Sequence, residues 1–218
     1  PKGMSNEQSK LMAREGAITV AQRNLIAEIK GVNINSTTKV KNKMVESDTI
    51  NRRVNGFLKG AEIVEEKAVG NNSYKVTMKV KLLGKDGMVK YLFPQGIEEE
   101  RNKEKYSEWT KERSKENQSE ENLKEYSGII INVSNPKVET ALYPKIISED
   151  DKLLYGLYSL EGEQFDRAIV GYEKSIAEAK QSPRAGDNPL IINTDKVQGE
   201  YNTDIVLSLT QANEFMSY

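Results

Sequence analysis

Ser73-Tyr74-Lys75-Val76-Thr77-Met78-Lys79-Val80-Lys81-Leu82-Leu83 is the stretch that decides the class of fold. Tyr74, Val76, Met78, Val80 and Leu82 alternate with Lys75, Thr77, Lys79 and Lys81. A period of two held this long puts apolar side chains on one face of a strand and charged ones on the other. One face must be covered and the other wetted, which is the pattern of an antiparallel strand. A second β-rich run at 61–69 precedes it across Gly70-Asn71-Asn72, so the two are expected to pair.

A cover for the apolar face lies further upstream. Between Ser5 and Ile29, Leu11, Ile18, Ala21, Leu25 and Ile29 recur at helical spacing, with Ala13, Ala17 and Val20 widening the stripe. Glu7, Lys10, Arg14, Arg23 and Lys30 take the other faces, and Gly31 makes a natural stop. This long amphipathic helix is expected to pack on the sheet. Residues 32–45, rich in threonine, valine and asparagine, read as a strand. A short helix is expected from Asp48, burying Ile50, Val54, Phe57 and Leu58 and ending at Gly60. Beyond the alternating run, a turn at Gly84-Lys85-Asp86-Gly87 leads into an expected strand over 88–93.

Composition changes at Glu98. From there to Glu125 the chain is mostly glutamate, lysine, arginine, serine and asparagine, and it reads as a solvated helical insert or linker. Tyr106, Trp109 and Leu123 are its large anchors, and Trp109 is the residue that would serve as a hot spot if the segment docks on a partner. From Gly128 the pattern turns β-rich again, with strands expected over 129–133, 142–147, 153–158, 168–172, 189–197 and 204–209. Ser175-Ile176-Ala177-Glu178 has the form of a capping box, starting a short helix that Pro183 stops, and 210–216 forms a last helical turn or two. The fold class is therefore α+β: an antiparallel sheet with a long N-terminal amphipathic helix packed on one face, plus a strand-rich C-terminal half. The expected organisation is an N-terminal domain over 1–97, the charged insert over 98–127 and a C-terminal region over 128–218.

Several chemistries are excluded or disfavoured. The 218 residues include no histidine and no cysteine, which removes the usual general base, thiol nucleophiles, thiolate metal sites and disulfides. Lysine and arginine number 32 against 33 acids, so no global field recruits nucleic acid. Neither a phosphate-cradling glycine loop nor a dinucleotide fingerprint is present. Glu149-Asp150-Asp151 groups hard oxygen donors, but without the spacing of a calcium loop a hairpin turn is the expected role. No enzyme activity, cofactor or metal is expected; a carboxylate-only hydrolase remains the least favoured alternative.

Two features are candidates for contacts with a ligand or partner. The loop Ser182-Pro183-Arg184-Ala185-Gly186-Asp187-Asn188-Pro189 is stiffened by proline at both ends and polar between, offering Arg184, Asp187 and Asn188. Among the ten tyrosines, Tyr143, Tyr155, Tyr158 and Tyr172 are the set that would line a pocket for a small glycan or peptide.

The run Ala13-Arg14, Arg23-Asn24-Leu25, Ile29-Lys30-Gly31-Val32, Lys59-Gly60-Ala61 and Tyr74-Lys75-Val76-Thr77-Met78 resembles the bacterial twenty-kilodalton outer-membrane lipoproteins, whose domain is similar to the N-terminal domain of the flagellar assembly protein FlgT. Ser127-Gly128-Ile129-Ile130-Ile131, Ala141-Leu142-Tyr143-Pro144-Lys145-Ile146 and Pro183-Arg184-Ala185-Gly186-Asp187-Asn188-Pro189-Leu190 resemble the C-terminal half of longer members. The resemblance implies export to the periplasm or the outer membrane. It also implies a non-enzymatic role, with an envelope protein or a second copy as partner. Membrane attachment would then be only through a lipidated cysteine that this chain lacks. Pro1-Lys2-Gly3-Met4 leads into polar residues rather than an apolar leader, so the expectation is that a targeting segment has been trimmed away.

Overall fold

The computed structural model describes residues 5–70, 73–93, 126–159 and 168–218, with the backbone alone at Tyr158. Most of the charged insert, Trp109 included, lies outside the described residues. The chain is α+β and divides into two compact units, Pro1–Val32 with Lys39–Pro94, and Asn33–Thr38 with Gln95–Tyr218.

The first unit begins with α1 (Asn6–Gly31), whose start is a reciprocal capping box: Ser5 Oγ accepts the Gln8 N–H and Gln8 Oε1 accepts the Ser5 N–H. Strands β1 (Glu62–Ala68) and β2 (Tyr74–Lys79) form an antiparallel hairpin with a bulge between Ile63 and Glu65. β2 stops at Lys79, short of the expected Leu83, but within it the alternation holds: Tyr74, Val76 and Met78 are half-buried on the face α1 covers, while Lys75, Thr77 and Lys79 are exposed. Arg14 of α1 bonds Glu66 of β1 at 2.8 Å, and on the wet face Glu65 meets Lys75 at 3.6 Å and Glu62 meets Lys79 at 3.3 Å. Exposed pairs of this kind contribute little, so the hairpin is held chiefly by its apolar face.

The rest of this unit is helical. Residues expected as a strand at 32–45 instead form α2 (Val40–Glu46), followed by α3 (Asp48–Lys59). β-branched residues invite the strand reading, but the segment turns as a helix, burying Val40 and Met44 one turn apart and leaving Val45 exposed. Asn42 Oδ1 also accepts the Lys39 N–H and caps the new helix. The expected strand at 88–93 is likewise a helical turn, α4 (Val89–Leu92). Met88 and Leu92, again four apart, are 0 % and 1 % exposed. Val54 and Leu58 of α3 are sealed in the same way, and the Phe57 and Tyr91 rings stack at 5.2 Å.

The second unit is a mixed sheet structure rather than a purely antiparallel one. β3 (Gly128–Val133) and β6 (Pro189–Thr194) pair in parallel from Gly128 opposite Pro189 to Val133 opposite Thr194. A four-stranded sheet runs β5-β4-β8-β7, from β4 (Ile146–Ser148), β5 (Leu153–Tyr155), β7 (Val197–Gln198) and β8 (Asp204–Leu207), with β4 and β8 parallel. Thr194 Oγ1 donates to the Val206 carbonyl at 2.8 Å and ties β6 to β8. Helix α5 (Ile176–Gln181) starts at Ser175, and α6 (Leu209–Met216) closes the chain with a capping box of Ser208 and Gln211. Ile146, Leu154, Leu190, Ile192, Leu207 and Ala212 form the core.

Two expected strands shrink. Only Ile146 and Ile147 of the run 142–147 join a ladder, and 153–158 yields β5 and then a 3-10 turn at Leu157–Ser159. Residues 168–172 form no strand; the Ala168 and Ile169 carbonyls are taken by Arg184 and Tyr155 side chains instead of a ladder. The segment Asn33–Thr38 belongs to this unit although it lies between two helices of the other. The Leu142, Tyr143 and Tyr201 N–H groups donate to the carbonyls of Asn33, Ile34 and Ser36 at 2.9, 2.8 and 3.1 Å.

Candidate functional site

The loop after α5 is built before it is a site. Ser175 Oγ accepts the Glu178 N–H at 3.2 Å to start the helix, and Pro183 forbids its continuation. Ser127 then clamps the loop with three bonds. Its Oγ donates to the Ala185 carbonyl at 2.9 Å and accepts the Asn188 N–H at 2.8 Å. Its own N–H donates to the Asn188 carbonyl at 3.0 Å. Gly186 adopts φ +66, and a Cβ there would lie 2.5 Å from the Ser127 Cβ, so neither conformation nor space admits another residue. A Cβ on Gly128 would meet the Ala185 and Arg184 carbonyl oxygens at 2.7 Å. Ser127-Gly128 and the Pro183–Pro189 loop are thus one fitted piece.

Three of the six expected contact residues turn out to be braces. Arg184 donates through Nη1 to the Ala168 carbonyl at 2.8 Å and through Nη2 to the Ile169 carbonyl at 3.0 Å. Tyr155 donates its hydroxyl to the same Ile169 carbonyl at 3.0 Å. Side chains therefore satisfy the Ala168 and Ile169 carbonyls in place of a β ladder. Tyr172 binds both main-chain groups of Ala141, its hydroxyl accepting the N–H and donating to the carbonyl at 3.1 Å each. Its ring is half-exposed, but the hydroxyl end is enclosed, and burial holds the phenols of Tyr155 and Tyr172 above their ordinary range. Tyr143 is 2 % exposed and its phenol is raised by burial. Trp109 lies outside the described residues.

Asp187 and Asn188 are placed differently. With Lys180, Gly186, Pro189 and Ile191 they line an open pocket of about 340 Å³. Tyr143, Tyr155 and Tyr172, expected to line a pocket, do not border this one. Sequence reading missed Lys180 and Ile191 because each lies in a regular element, on a face only the fold defines.

A second polar feature, invisible in the sequence, is the buried carboxylate of Asp204. Its Oδ2 accepts the Ser36 hydroxyl at 2.5 Å and its Oδ1 accepts the Lys145 N–H at 3.0 Å. Burial raises this carboxyl above its ordinary value, against the opposing pull of those two bonds and the Lys145 charge. By contrast Glu149 and Asp150 of the 149–151 turn are spent on structural bonds. Glu149 accepts the Leu209 N–H at 3.2 Å and pairs with Lys196 at 3.1 Å; Asp150 takes the Ser148 hydroxyl and pairs with Lys152 at 2.9 Å. The Leu209 N–H and Lys196 hold the Glu149 carboxyl below its usual range. Among the described residues no cluster of three acidic ligands is poised for a metal, and no helix is long and apolar enough to cross a membrane.

No curated protein matches the chain. Residues 128–218, which contain the clamped loop, the pocket and the Asp204 carboxylate, are similar to a known family, described as the second domain of Treponema pallidum Tp0624.

Proposed function

We propose that the protein is a non-enzymatic structural or interaction protein of a bacterial cell envelope, the soluble part of an exported lipoprotein. The observation that carries this reading is how its reactive side chains are used. Arg184, Tyr155 and Tyr172 hold main-chain carbonyls and amides, and the one described carboxyl raised by burial, Asp204, is closed in by Ser36 and an amide. A catalytic acid needs a raised pKa and access to substrate together. The lack of histidine and cysteine and the resemblance to outer-membrane lipoproteins support the same reading.

The test is fractionation of the native protein with intact-mass measurement, followed by cross-linking in the envelope fraction. A membrane-fraction protein carrying the mass of a lipid and cross-linked to an envelope protein or a second copy is the expected result. An unlipidated cytosolic protein with no cross-linked partner would overturn it.

A further inference from the structure

The pocket at the clamped loop is lined by two side chains of opposite charge, Lys180 and Asp187. Among the described residues neither Lys180 nor Asp187 makes an ion pair or a side-chain hydrogen bond, although both line the pocket. Elsewhere in this unit Lys152 pairs with Asp150 at 2.9 Å and Lys196 with Glu149 at 3.1 Å. The other cation of the loop, Arg184, is committed to the Ala168 and Ile169 carbonyls and does not neutralise Asp187.

We propose that this pocket binds a short peptide with free termini, its carboxylate at Lys180 and its ammonium at Asp187. A lone anion would meet repulsion from Asp187 and a lone cation from Lys180, while a neutral sugar would leave both charges unanswered. Only a ligand carrying both signs answers both side chains. Pro189 and Ile191 supply an apolar wall for a small side chain. About 340 Å³ lies at the small end of ligand sites and suits a dipeptide rather than a polymer.

Rigidity strengthens the case. Ser127 holds Ala185 and Asn188 from both sides, and Gly186 is pressed against it at φ +66. The loop backbone that carries Asp187 and Asn188 is therefore fixed and loses little freedom when a ligand arrives. This inference does not depend on an envelope partner, and failure of either leaves the other standing.

The experiment is amide NMR of the full chain titrated with alanyl-alanine, its N-acetylated form, its C-terminal amide and N-acetylglucosamine. Free dipeptide is expected to shift the Gly186, Asp187, Asn188 and Ile191 signals saturably. Each blocked form should bind roughly three- to fivefold more weakly, the worth of one exposed ion pair. Lys180→Met should weaken the free dipeptide by a similar factor while leaving the amide form unaffected; Asp187→Asn should spare the acetylated form in the same way. Both side chains are exposed, so signals remote from the loop should stay put and report an intact fold. No saturable shift, equal binding of free and blocked dipeptides, or shifts from the sugar alone would overturn the proposal.

Discussion

Replacing Asp204 by alanine tests whether the segment Asn33–Thr38 is held in the second unit by a buried carboxylate. Asp204 is 6 % exposed and Ser36 8 %, and Asp204 also accepts the Lys145 N–H at 3.0 Å. Alanine leaves a buried hydroxyl and a partly buried amide without this acceptor, at about 2 kcal/mol each. Release of a desolvated charge offsets about 1–2 kcal/mol of that, so the net loss is about 2–3 kcal/mol. With a urea slope near 2 kcal/mol/M the midpoint falls by about 1 M. Urea unfolding followed by hydrogen exchange in peptides covering 33–38, 141–148 and 201–209 reads the loss where it arises. Ser36→Ala should give about half the effect. A change under about 0.5 kcal/mol for Asp204→Ala would refute the reasoning. The pH dependence carries a sign as well. Because burial raises the folded-state carboxyl above its ordinary 3.8, the folded chain takes up this proton before the unfolded chain does. The associated stability is complete below 3.8 and is lost as pH rises through the raised folded value. On acidification wild type should therefore gain stability relative to Asp204→Asn, and a gap moving the other way would show that the bonds to the anion outweigh its burial.

Gly186→Ala should destabilise the second unit by about 2–3 kcal/mol in denaturant unfolding, since it combines a positive φ with a Cβ 2.5 Å from Ser127. Arg184→Met removes two bonds to the Ala168 and Ile169 carbonyls and should cost about 1–2 kcal/mol, seen as faster hydrogen exchange near residues 168–172. Leu58→Ala empties a site that is 1 % exposed in the first unit and should cost about 2–5 kcal/mol by thermal or chemical unfolding, leaving exchange at 186–191 unchanged.

Local periodicity determined much of this protein. The alternation from Tyr74, the α3 face of Ile50, Val54 and Leu58, and the cap at Ser175 are all legible because each depends on neighbours within a few residues. Of the expected stripe in α1, Ile18, Ala21, Leu25 and Ile29 turn inward while Leu11 and Val20 stay exposed. The clamped loop was visible as a rigid polar segment, but not the division of labour within it. Arg184 looks like a contact residue by type; only the positions of the Ala168 and Ile169 carbonyls make it a brace and leave Asp187 and Asn188 facing a pocket. Val40–Glu46 and Val89–Leu92 carry strand-forming residues, but packing of a helical face, with the adjacent Met88 and Val89 both buried and Val45 exposed, overrode that propensity. The parallel pairing of β3 with β6 and the bond from Ser36 to Asp204 belong to tertiary structure alone. Partners so far apart along the chain leave no local pattern, since what selects them is the need to satisfy polar groups once the core has excluded water.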